Sequence, residues 1–228
     1  MDPHPTTDRR GLLASTERWR QSMLLWATVL AAEGALVVVY LELTGTEIDR
    51  IRYVVYPFVW INLGLWAVLR ARPVGGSLRI RSMAGLAAAG YFLLLLALPG
   101  KIAVTVASGA VSGLQVSWAV PGWGPIITYG GSHLQVYVVP FEVIGYLALA
   151  YLVYANVVNL ARSSLAGLVG VVTCVGCTVP VLVPVLGILG GTGTTLASTA
   201  YSWSYDVGTV LFAVVVVLLL RGVRPKRE

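Results

Sequence analysis

Charge is the scarcest property of this sequence. Asp, Glu, Lys and Arg make up 11% of its 228 residues, against about 25% in a soluble domain, and the mean hydropathy is +0.81. That deficit excludes an ordinary soluble globular chain. Cysteine is nearly absent. The only two, Cys174 and Cys177, lie inside an apolar run and cannot build the disulfide framework of a small secreted domain. His4 and His133 are too few for a haem-rich or histidine-ligated metal core. Walker and dinucleotide-binding glycine motifs, a soluble catalytic domain, a nucleic-acid patch and an internal repeat are all missing. An enzyme is therefore the weaker expectation, and no nucleic acid is expected as a partner.

What remains is a set of long apolar runs. A bilayer needs about 20 such residues to be crossed by a helix. The runs predict an all-α membrane protein, a six-helix transmembrane bundle spanning 23–43, 53–69, 82–98, 135–158, 164–190 and 207–220. Residues 1–20 form a polar tail, with a short helix at the interface around Trp19. Residues 21–220 form the transmembrane domain and residues 221–228 a second tail. Arg9-Arg10 is not read as a twin-arginine export signal, because Glu17, Arg18 and Arg20 stand where such a signal needs an apolar core.

Residues 101–133 break the pattern. An irregular segment cannot face lipid without leaving backbone groups unpaired. It is therefore read as an irregular external cap between helices 3 and 4. Leu114, Val116, Trp118 and Val120 alternate with small or polar residues, a strand-like period. Pro121-Gly122-Trp123-Gly124-Pro125 reads as a turn. A helical excursion over 101–111 is the alternative for its start. Residues 191–206 read as a polar loop, with Ser204 or Asp206 capping the last helix.

Basic residues give the orientation. With the N-terminus inside, thirteen Lys and Arg fall on inner segments and three (Arg50, Arg52 and Lys101) outside, the sum being the 16 in the chain. Positive residues favour the cytoplasmic side. Both termini are expected there, in a multi-pass protein of the plasma membrane whose first partner is the lipid bilayer.

The stretch with most chemistry is 164–190. Cys174 and Cys177 are i and i+3, one face of a helix, about 15 Å into the span at ~1.5 Å per residue. Pro180 and Pro184 follow and remove amide donors. The pair has three readings. Thiolates favour Cu(I), and two suffice for linear coordination. Two thiols can also form a disulfide and exchange it with a partner. Buried cysteine can equally be a small hydrophobe. Zinc is disfavoured for want of further ligands.

Glu33 lies near the centre of the first span, where an ionisable group is expensive and a functional candidate by default. It reads as a proton or charge partner, or as a protonated acid bonded to a carbonyl or to Asn62. Glu142 is a second such candidate, nearer the surface, where it reaches interfacial water. His133 reads as bland, or as a participant in metal entry.

Three stretches together carry a resemblance: Tyr56-Pro57-Phe58-Val59-Trp60-Ile61-Asn62, then Val139-Pro140-Phe141 with Gly145-Tyr146-Leu147-Ala148, and Thr173-Cys174-Val175-Gly176-Cys177-Thr178-Val179-Pro180. The chain resembles an uncharacterised family of haloarchaeal multi-pass membrane proteins. The resemblance implies no established activity, but a loose association with haem-copper oxidase and copper-handling genes. The third stretch is more weakly similar to the paired-cysteine-then-proline helix of mercury transport proteins, which have adjacent cysteines and fewer spans. The leading expectation is a handler of a soft metal, copper first, through Cys174 and Cys177, as transporter or respiratory-enzyme assembly factor. The alternatives are a non-catalytic accessory subunit with a membrane protein partner, or a membrane thiol oxidoreductase.

Overall fold

The computed structural model describes residues 8–45, 50–73, 75–104, 113–131, 133–160 and 195–223. The chain divides into two units, Met1–Asp49 and Arg50–Glu228. The first is one helix, α1 (Asp8–Thr44). The second holds α2 (Ile51–Arg70), α3 (Leu78–Ala97), strands β1 (Ile102–Val104), β2 (Gly113–Ser117), β3 (Ile126–Gly130) and β4 (Leu134–Val138), then α4 (Pro140–Leu160) and α5 (Thr195–Val223). Among the described residues five helices are long and apolar enough to cross a membrane. The expected span 164–190 lies outside the described residues.

The fold is thus mostly helical with a small sheet, not all-α, and several boundaries move. The interfacial helix and the first span are one helix, because no Pro or Gly occurs between Gly11 and Gly34 to interrupt it. The described residues of the cap are not irregular. Its strands form an antiparallel sheet in the order β1-β4-β3-β2. The sequence at 102–104 is strand rather than helix. The sheet runs past 133, through the Leu-Gln-Val-Tyr-Val of β4, so α4 starts at Pro140 and not at 135. Proline suits that first helical position, where its missing N–H would be an orphan anyway and its φ is already helical. The polar stretch before the last span is helical from Thr195. Asp206 is therefore inside a helix and caps nothing.

In the second unit α4 is the central helix, packing on α2, α3 and α5, while α2 also meets α5. The α2–α4 contact is close because small residues face it. A Cβ built on Gly64 would stand 3.1 Å from that of Ala148, and one on Gly145 would strike the Trp60 ring. Ala67, Leu149, Leu152, Ala155, Val215, Val216 and Leu219 fill the core between α2, α4 and α5.

Polar side chains tie the same helices. Asn156 is buried; its Nδ2 donates to Leu152 O on its own helix at 2.8 Å and to Leu219 O on α5 at 2.9 Å. Its Oδ1 occupies the space a side chain at Gly222 would need. The Tyr151 hydroxyl donates to Ala71 O, 3.3 Å away, and Trp60 Nε1 donates to Thr209 Oγ1 at 3.1 Å. Away from water such bonds fix which helix faces meet.

Candidate functional site at the capped end of the helices

The connection between β2 and β3 descends onto the end of α2, α4 and α5. Its Trp123 ring meets Phe141 (centroids 4.9 Å apart), Tyr205 (5.3 Å) and Tyr53 (6.5 Å), all edge-on. Trp123 Nε1 donates to Tyr53 O at 2.6 Å. That acceptor is free for a reason in the sequence. Pro57 lies four residues after Tyr53 inside α2 and has no N–H to give it. Gly122 makes the approach possible: its φ is +91°, and a Cβ there would collide with the Pro57 ring. Below this plug Trp60 lies flat on Phe212, with centroids 4.1 Å apart and planes 5° from parallel.

Two ion pairs flank the aromatic cluster. Arg52 Nη1 donates to Asp206 Oδ2 at 2.9 Å, and the Tyr56 hydroxyl donates to Asp206 Oδ1. Arg52 and Asp206 are 30% and 27% exposed, so their electrostatic attraction is partly screened, while Tyr56 is buried. Lys101 Nζ stands 2.5 Å from Glu142 Oε2, with the two side chains 13% and 8% exposed, and 4.7 Å over the Tyr137 ring. The contact is an ion pair rather than an aligned hydrogen bond. Glu142 thus does not reach interfacial water. It is buried in the first turn of α4, against the lysine that ends the α3–β1 connection.

Glu33 lies about two-thirds along α1, near the middle of its membrane-length part Trp19–Thr44, half-buried, in the other unit from Glu142. Cys174 and Cys177 lie outside the described residues. Among the described residues no three His, Cys, Asp or Glu side chains gather as a metal-binding group, and His133 stands exposed beside the start of β4. The structure therefore joins one predicted residue, Glu142, to a partner the sequence reading did not name.

Missed residues had a signal in their scarcity. Glu142 is the only acid between Arg50 and Tyr205, and Lys101 is the only base between Ser82 and Ala161. Two lone opposite charges in an apolar chain are best placed together. Asp206 is likewise an isolated acid, and it pairs with Arg52, one of two arginines at the start of α2. Both acids of residues 50–223 are thus ion-paired at the capped end.

The described residues thus define a chain of membrane-length helices with a small antiparallel sheet seated on the end of a helical unit. The chain belongs to a family of unknown function, DUF7546, whose model matches residues 6–228. This agrees with the resemblance to an uncharacterised family. No curated protein and no solved structure matches the chain.

Proposed function

We propose that the chain is a six-span integral protein of an archaeal plasma membrane, with both termini cytoplasmic and the sheet outside. In this reading the helical unit is a rigid, capped scaffold beside an intramembrane thiol pair. Cys174 and Cys177 hold a soft metal, Cu(I) first, as cargo for transport or for assembly of a respiratory enzyme. The observation that supports it is the pairing of both acids in residues 50–223 with Lys101 and Arg52. Carboxylates committed to ion pairs are poor carriers, which leaves the thiols as the soft donors of that unit. Glu33 is the charge or proton partner in the same proposal.

A second reading, a non-catalytic accessory subunit, is favoured by α3. Only Ala84, Ala88 and Leu95 of that helix are buried, so most of its apolar surface is left uncovered by the described residues of its unit.

Cu(I) titration of the purified protein under reducing conditions separates these readings. One Cu(I) per chain, lost in the Cys174→Ser/Cys177→Ser variant, supports the soft-metal role. A reversible Cys174–Cys177 disulfide without copper points to the thiol oxidoreductase. Neither copper nor disulfide leaves the accessory subunit.

A further inference from the structure

The sheet is inside-out for a water-soluble cap. Its register puts Ile102, Val136, Tyr129 and Leu114 in one row across four strands, with Val116 and Ile127 beside them. Residues paired across strands share a face. Every described strand residue on this face is apolar or Tyr, whereas Gln115, Thr128 and Gln135 fall on the other. The apolar face is the more exposed one: Leu114 is 68% exposed, Val116 53% and Val104 81%, with Gln115 and Ser117 on the other face of β2 exposed as well. Between Lys101 and Glu142 the sequence has no Asp, Glu, Lys or Arg. A surface meeting bulk water would carry roughly a quarter to a third charged residues.

The tethers limit where this face can go. Four residues separate α3 from β1, and Val139 alone separates β4 from α4. Four residues reach about 14 Å at ~3.5 Å each. The sheet therefore lies at the level where α3 and α4 leave the bilayer. Among the described residues its outer strands, β1 and β2, have no further strand beside them. Unpaired edges are not tolerated in hydrocarbon, but water and headgroups can satisfy them in the interfacial layer, roughly 5–7 Å deep on each side. Trp118, which follows β2 directly, is 81% exposed, and Tyr129 lies on the apolar face. Trp and Tyr are the residues enriched at that depth.

We propose that the sheet lies flat on the membrane, its apolar face against the boundary between lipid headgroups and acyl chains. The occupant of the uncovered face is lipid, and the sheet is a paddle that holds the capped end at a fixed depth. The proposal rests on the membrane reading above.

Single cysteines at positions 114, 115, 116 and 117, in the Cys174→Ser/Cys177→Ser background, carry an environment-sensitive fluorophore. The protein is placed in phosphatidylglycerol nanodiscs. Shallow nitroxide lipids quench from the membrane side and iodide from the water side. The expected result alternates: Leu114→Cys and Val116→Cys are quenched severalfold more by lipid, Gln115→Cys and Ser117→Cys by iodide. Four positions equally open to iodide overturn the proposal. So do positions 114 and 116 shielded from both quenchers, which means that a protein surface or a second copy covers them. Leu86→Cys on the exposed side of α3, probed with lipids that carry the nitroxide deep on the acyl chain because this position is near mid-helix, separates the two levels. Lipid quenching there, without it at 114 and 116, defeats only the paddle. Its absence at position 86 defeats the membrane reading and the paddle with it.

Discussion

Trp123 takes the carbonyl of Tyr53 that Pro57, four residues on, leaves without a helical donor. The proline breaks a bond in α2, and the cap repairs it from 70 residues away. This predicts a coupling between two positions of α2 and the cap. Trp123→Phe keeps most of the ring but removes the donor, which costs about 1–2 kcal/mol for a carbonyl left unpaired. In a Pro57→Ala background the helix supplies its own N–H, and the cost of Trp123→Phe shrinks. A double-mutant cycle by thermal unfolding in detergent measures it. Equal costs in both backgrounds would break the link.

Glu142 and Lys101 form a buried pair, so removing one charge strands the other. Glu142→Gln is expected to destabilise by about 3 kcal/mol. The double variant Lys101→Met/Glu142→Gln should be less damaged than Glu142→Gln alone, because no charge is left uncompensated. Denaturant titration of Glu142→Gln, Lys101→Met and the double variant reads this order. A double variant worse than either single would show that the pair is not the reason for the cost.

Asn156 and Gly222 share one small space where α4 meets α5. Gly222→Ala forces the amide off Leu219 O and is expected to cost about 1–3 kcal/mol through overpacking. Asn156→Ala loses an interhelical bond of about 0.6–1.7 kcal/mol. The two changes are not additive: with Asn156 truncated, alanine at 222 fits. Melting temperatures of the two singles and the double check this. Additive losses would refute the shared space.

The legibility of the fold in the sequence was uneven, for physical reasons. Apolar run length located the cores of α1 to α5, since length against bilayer thickness is a strong signal. The turn at Pro121–Pro125 and the alternation at Leu114–Val116–Trp118 located the cap, but its strand order depends on long-range pairing that no local pattern encodes. The boundary at 135 fails because Val136, Val138 and Val139 are apolar enough to extend a span. The period of two there and the following Pro140 are the better guide. The expectation of a cap at Asp206 fails because its partner Arg52 is 154 residues away in the chain. Lone charges in an apolar chain carry pairing information that segment-by-segment reading discards.

The most direct measurement of the central claim is X-ray absorption at the copper edge of the Cu(I)-loaded, detergent-solubilised protein. The soft-metal account predicts two sulfur neighbours around the ion, absent from the Cys174→Ser/Cys177→Ser variant. Copper held by nitrogen or oxygen, a spectrum unchanged in that variant, or no retained copper would contradict it.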